Sequence, residues 1–213
     1  MTDGPGINIR IVVFAKAPQP GLAKTRLASA LGADGAAALA RRMLLHALEQ
    51  ALAAQVGTVE LCMSPGPTAA EWRGIALPAG IACSDQGHGD VGQRMARAVD
   101  RVTATKGQAV LLMGTDCPAL TAERIVQTAQ ELARHDAVLV PVADGGYVLI
   151  GLHAPCHAIF SDMAWSTRTV AHETLQRLRA DARNMWVAPS LHDIDEPADL
   201  AHLPAHWRVN LGL

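Results

Sequence analysis

Short apolar runs alternate along the chain with longer segments of helical periodicity. Ile9–Phe14 is β-branched and apolar and predicts a first strand. Asp34–Gln55 predicts a helix, with Leu44, Leu48, Ala51 and Leu52 on one face and Arg41, Arg42, His46 and Glu49 on the wet face. Asp34 is placed to cap it. Val59–Met63 and Ile81–Ser84 read as strands, with a short helix near Thr68–Arg73 between them. Asp90 caps a helix that runs toward Lys106. Val110–Met113 is apolar at every position, the pattern of a strand covered on both faces, and it stops at Gly114-Thr115-Asp116-Cys117-Pro118. A helix over Thr121–His135 and strands over Ala137–Val142 and Tyr147–Leu152 follow. Ala154–Phe160 reads as one or two helical turns. Ser166 or Thr167 caps a helix reaching Asp181, Met185–Val187 is a late strand, and Pro197 opens a last helix. This alternation predicts an α/β protein with a largely parallel sheet. No repeat, linker or low-complexity stretch divides it, so one domain over 1–213 is expected.

Composition narrows the function classes. The 213 residues suffice for a sizeable core, and a formal net charge of −2 gives no basic field for nucleic acid or an anionic membrane. Seven aromatic residues are too few for a base-stacking platform. Cys62, Cys83, Cys117 and Cys156 form no CxxC and read as reduced thiols, which points to a cytoplasmic protein. The amino-terminal MTDGPGINIR lacks a charged-then-apolar leader pattern, and no apolar run is long enough to span a bilayer.

The candidate chemistry lies where strands end. In open α/β sheets ligands bind outside the carboxyl ends of the strands, so Asp116 is placed to hold a metal, a ribose hydroxyl or a substrate, or simply to cap the next helix. After the first strand, Lys16, Lys24, Thr25 and Arg26 stand in a loop kept irregular by Pro18, Pro20 and Gly21, a natural phosphate site. Ala23 stands where a Walker A motif needs glycine, so that motif is rejected. In Gln86-Gly87-His88-Gly89-Asp90 the glycines permit close backbone approach to a ligand, and His88 is either a ligand or an exposed loop residue. Asp144-Gly145-Gly146 is either a hairpin turn or a loop over a sugar or phosphate. Trp165 is a hydrophobic staple or a platform for a sugar ring. Asp193 and Asp195 precede the last helix.

The segments FAKAPQPGLAKTRL, QGHGDVGQRM, LLMGTDCPAL, ADGGYVLIGL, WSTRTV and DIDEPADL, spread over residues 14–200, together resemble the GT-A superfamily of nucleotide-diphospho-sugar transferases. The closer resemblance is to a bacterial subfamily of glycosyltransferases, some linked to arsenosugar biosynthesis. The first and last segments are also similar to those of phospholactate and molybdenum-cofactor guanylyltransferases. The resemblance implies a three-layer α/β/α, Rossmann-like GT-A fold with a mostly parallel mixed sheet. It implies nucleotide phosphates at Lys24 and Arg26 with Lys16 close by, in a nucleotide site that also includes Gly21, Thr25 and Thr115. Gln86, Gly87 and Asp90 fall beside the base and ribose. Asp116, with Asp193 or Asp195, falls at a divalent metal, Mg²⁺ or Mn²⁺. Gly145, Gly146 and Tyr147, with Trp165, Ser166 and Thr167, fall on the sugar or acceptor side, and Asp144 is the expected base. Many GT-A enzymes carry Asp-x-Asp at the metal strand, whereas Cys117 and Pro118 follow Asp116 here.

The expected function is transfer of a sugar from a nucleoside-diphosphate sugar to a small-molecule acceptor. Nucleotidyl transfer from a triphosphate to a phosphorylated small molecule, with release of pyrophosphate, is the second reading. Nucleotide binding without turnover is the third. Partners are thus a nucleotide or nucleotide sugar and an acceptor, with no nucleic acid and no membrane, and a homodimer stays open.

Overall fold

A computed structural model describes residues 7–211 of the chain. The leader reading of the first ten residues falls mostly outside them. Seven strands form one sheet: β1 (Asn8–Lys16), β2 (Gly57–Ser64), β3 (Ile81–Asp85), β4 (Gln108–Met113), β5 (Ala137–Pro141), β6 (Tyr147–Leu152) and β7 (Met185–Val187). Their spatial order is β3-β2-β1-β4-β6-β5-β7. β6 runs antiparallel to both β4 and β5, and the other pairings are parallel. This is the mostly parallel mixed sheet expected of a Rossmann-like fold.

The helices are α1 (Ala28–Ala53), α2 (Val91–Thr103), α3 (Ala122–Leu132), α4 (Val170–Ala180) and α5 (Ala205–Leu211). Strand side chains alternate between faces, so each central strand feeds two cores. Ile11, Val13, Leu111 and Met113 pack with Leu44 and Leu48 of α1 and Ile125 and Leu132 of α3. Val12, Val110, Leu112 and Ile150 pack with Met95 and Val99 of α2 and Leu178 of α4. Truncating one of these, such as Leu111→Ala, costs about 2–5 kcal/mol because the neighbours cannot close the gap. A third core joins Leu27, Leu39 and Met43 to Ile194, Leu200, Leu203 and Trp207.

Several local expectations are corrected. Asp34 caps nothing: α1 starts at Ala28 and continues across a break at Gly32, whose φ is +70°. His46 leaves the wet face, because α5 folds over α1: its Nε2 lies 3.1 Å from the Pro118 carbonyl oxygen and its ring meets Trp207 edge-on. Segments 68–73 and 154–160 shrink to 3-10 turns at Ala70–Trp72 and His157–Ile159, and Pro197–His202 is also 3-10. Neither Ser166 nor Thr167 caps α4, whose amino cap is Thr169 with no side-chain bond. Asp90 does cap α2, reciprocally with Gln93.

The pairing directions decide where the site forms. The carboxyl ends of the parallel strands lie at one edge, together with the turn between β5 and β6. The loops that begin at Ala17, Gln86, Gly114, Val142 and Ala188 therefore crowd one rim of the sheet.

Candidate active site

The rim is assembled from alternation in a short extended segment. Beyond β7 the chain continues beside the end of β5: Val142 pairs with Leu191, and the Ala143 amide donates to the Leu191 carbonyl at 2.9 Å. Ile194 then points inward, fully buried in the third core, and its amide donates to the Asp116 carbonyl at 2.8 Å. Period-two alternation sends its neighbours Asp193 and Asp195 the other way, toward the rim. Asp195 is fixed further because Asp199 accepts the amides of Asp195 and Glu196 at 3.0 and 2.7 Å.

Lys24 enters from the opposite side, in a left-handed conformation with φ 48°. Its ammonium lies 2.8 Å from Asp116 Oδ1 and 2.5 Å from Asp195 Oδ1, and its side chain is only 8% exposed. Burial pulls its pKa down, but the two carboxylates outweigh burial and hold it above the usual lysine range. The expected convergence of Lys24 and Asp116 is therefore found. Lys24 is not an open phosphate ligand, however, since two carboxylates take two of its three donors.

Asp144, Asp193 and Asp195 form a second group, with one oxygen from each lying within 4.8 Å of the others. Asp193 is pushed up to about 6, first by burial and then by the charges of Asp144 and Asp195, with Lys24 opposing. These acids fit a divalent ion. Mg²⁺ and Mn²⁺ take carboxylate oxygens, and one or two carboxylates suffice when phosphates and waters complete the shell. Of the three expected at a metal, Asp193 and Asp195 stand in this group with Asp144, and Asp116 is joined to it through Lys24. Cys117 is buried against the first core, with its thiol pushed up to about 11 chiefly by burial.

A cleft of about 320 Å³ opens over these groups, lined by Arg26, Asp144, Ser166, Thr167, Asp193 and Asp195 among the expected residues. Arg168, His192, Glu196 and Asp199 also line it and were missed by sequence reasoning. Asp199 was findable as the partner of a Glu-Pro helix start. Arg26 is exposed, with a 3.5 Å contact to Glu196. The Asp144 loop is the hairpin turn its sequence allowed. It turns the β5–β6 hairpin, with the Gly146 amide donating to Asp144 Oδ1 at 2.8 Å, and it leaves Asp144 in the cleft.

The remaining expected residues lie elsewhere. Gln86 is buried, and its amide donates to the carbonyls of Ala15 and Cys62 at 3.0 Å each, tying together the ends of β1 and β2. Gln86 and Gly87 line a different hollow, of about 440 Å³, with Arg94, Arg97 and Arg101. Asp90 is occupied by its cap, and His88 is exposed. Lys16, Gly21 and Thr25 are exposed on the first loop, and Thr115 Oγ1 is 3.4 Å from Asp116 Oδ1. Tyr147 packs with the second core, its hydroxyl 4.0 Å from Met95 Sδ. Trp165 packs where α2 carries Gly92, at which a Cβ would sit 2.7 Å from the indole nitrogen, so it staples onto α2 and not onto α4.

Fold and rim together define an α/β protein with the Rossmann-like architecture of nucleotide-sugar transferases. The chain belongs to the family described as "Uncharacterized protein conserved in bacteria (DUF2064)", whose model matches residues 47–167. It is similar to a provisionally named nucleotide-diphospho-sugar transferase from Desulfovibrio desulfuricans, at 28% identity over 94% of this chain and 90% of the other, with a TM-score of 0.84. A 4-diphosphocytidyl-2C-methyl-D-erythritol synthase from Anaerococcus prevotii shares the fold at 12% identity, 95% and 99% coverage and a TM-score of 0.59. Rv0371c from Mycobacterium tuberculosis, in complex with manganese, shares it at 16% identity, 92% and 97% coverage and a TM-score of 0.54. No curated protein matches the chain. No described helix is long and apolar enough to cross a membrane.

Proposed function

We propose that the chain is a nucleotide-dependent transferase, a single nucleotide-diphospho-sugar transferase domain that moves a sugar from a nucleoside-diphosphate sugar to a small acceptor. The observation that carries this reading is the rim itself, where one buried ammonium joins Asp116 to Asp195, and Asp195 also gathers with Asp193 and Asp144. An anionic diphosphate does not enter such a surface alone: Asp193 and Asp195 would hold a divalent ion with it, and the ion would supply charge stabilisation for the leaving diphosphate. Lys24 fixes Asp116 and Asp195 in place, and Arg26, exposed in the cleft, meets the phosphates. The acceptor hydroxyl attacks the anomeric carbon, the carbon–oxygen bond to the diphosphate breaks, and Asp144 takes the acceptor's proton. The manganese complex of Rv0371c and the name of the Desulfovibrio protein support this reading.

Nucleotidyl transfer is the second reading. It is favoured by one observation: Lys24 links the strand-end acid Asp116 to Asp195, so two carboxylates from separate loops meet. Both reactions are tested by incubating the protein and Mn²⁺ with a panel of nucleoside-diphosphate sugars and nucleoside triphosphates. Saturable binding of a sugar nucleotide, lost in Asp195→Ala, supports glycosyl transfer. Pyrophosphate release from a triphosphate supports the second reading. Binding of neither class sinks both.

A further inference from the structure

Arg168 is the cation of the cleft without an ion pair among the described residues. It lines the same space as five carboxylates, is exposed, and has no side-chain hydrogen-bond partner among the described residues. Apart from Asp193, the carboxylates there are engaged, and so is Arg26. Glu196 faces Arg26 at 3.5 Å, Asp195 holds Lys24, Asp199 accepts two amides, and Asp144 accepts the Gly146 amide.

Its position is set by backbone. Gly145 has φ +93°, and a Cβ there would sit 2.0 Å from the Arg168 carbonyl oxygen. The Ala171 amide donates to the Gly145 carbonyl at 2.9 Å. The Arg168 segment is thus locked against the loop that carries Asp144, at a spacing no other residue at 145 allows. The segment also holds Ser166 in the left-handed region, at φ 63°. A side chain there is disfavoured and persists only where the surroundings impose it. The Thr167 hydroxyl donates to the Ala164 carbonyl and the Thr169 hydroxyl to Glu173. The Ser166 hydroxyl, like the Arg168 guanidinium, has no partner among the described residues.

We propose that Arg168 and Ser166 form an anion subsite for the acceptor, and that the acceptor is a small hydroxy compound carrying a phosphate or carboxylate. A guanidinium fork with an adjacent hydroxyl matches the oxygens of either group. With its anion there, the acceptor's hydroxyl is directed toward Asp144. Its role as acceptor rests on the transfer reading above, whereas the anion subsite does not.

The test is nuclear magnetic resonance of the labelled full chain saturated with Mg²⁺ and a nucleoside diphosphate, so that the donor's phosphate positions are filled. The Arg168 Nε–H and Ser166 amide signals are followed during titration with inorganic phosphate, acetate or glycerol. Phosphate or acetate shifts both signals saturably, glycerol does not, and Arg168→Gln weakens the anion at least tenfold while the nucleotide binds as before. A response to phosphate alone assigns a phosphorylated acceptor, and a response to acetate a carboxylate. If neither anion moves these signals while nucleotide binds, the subsite is wrong and the transfer reading stands. If nucleotide does not bind but an anion shifts Arg168, the subsite stands and the transfer reading falls.

Discussion

Two charged nests in this molecule are near mirror images. Between β2, β3 and α2, Glu60 is buried and enclosed by cations: Arg101 grips both of its oxygens, Arg10 lies 3.3 Å away and Ser84 donates at 2.5 Å. Burial works against its charge, but Arg101, Ser84 and Arg10 outweigh it and hold its carboxyl below the usual range. At the rim the signs are exchanged: Lys24 is the buried ion between Asp116 and Asp195, and Asp144 and Asp193 gather beside Asp195. The first nest is complete, with each oxygen of its central ion paired. The second has more carboxylates than cations, and Asp193 there is raised first by burial and then by the charges of Asp144 and Asp195. A saturated nest serves the fold; a nest left under-neutralised at the carboxyl edge of a sheet is built for something that arrives from solution.

The comparison breaks if the two nests respond alike to mutation. The largest effect falls on turnover: Asp195→Asn and Lys24→Met each lower transfer by about 10²–10³-fold, the loss expected when one charge-stabilising group is removed. Their unfolding free energies change by only about 1 kcal/mol, because the half-exposed acids can turn to water when Lys24 is lost, and Lys24 keeps Asp116 when Asp195 is lost. In the other nest Glu60→Gln costs about 2–3 kcal/mol in denaturant unfolding and leaves nucleotide affinity unchanged. That is less than the full penalty for breaking a buried pair, because Arg10 and Arg101 reach water.

Acidity sharpens the contrast, because the signs are opposite. Glu60 has a folded pKa below its unfolded value, so its stabilisation is complete above about pH 4.5 and is lost as pH falls through the folded value. Asp193 has a folded pKa raised from 3.8 to about 6, so in metal-free buffer the protein gains stability as pH falls through that interval. Thermal unfolding of wild type, Glu60→Gln and Asp193→Asn between pH 3.5 and 7.5 separates the two. The smallest effect is at Arg26→Gln, which changes stability by less than about 0.5 kcal/mol, since its pair is exposed, and weakens nucleotide binding several-fold by calorimetry.

Most of the fold was legible because its periodicities are unambiguous: every strand of the sheet was anticipated within a few residues. Helix starts were less legible where tertiary contacts override capping. Gly32 hides the first turn of α1, and the docking of Gly145 on Arg168 delays α4 to Val170. At the site, the sequence pointed to Lys24, Asp116, Asp144, Asp193 and Asp195 from their places at strand ends. It could not show that Lys24 closes on two carboxylates, because their contact joins residues 171 apart in the chain. Nor could it separate Gln86, a buried tie between strands, from a ligand contact, since a glutamine beside glycines suits both roles. Arg168 escaped notice because an isolated arginine signals nothing until its neighbours are known.

The most direct measurement is Mn²⁺ binding followed by electron paramagnetic resonance, with and without a nucleoside diphosphate, in wild type and Asp195→Ala. The account predicts one Mn²⁺ per chain, bound more tightly when the nucleotide is present and lost in the variant. Nucleotide binding indifferent both to Mn²⁺ and to Asp195 would contradict it.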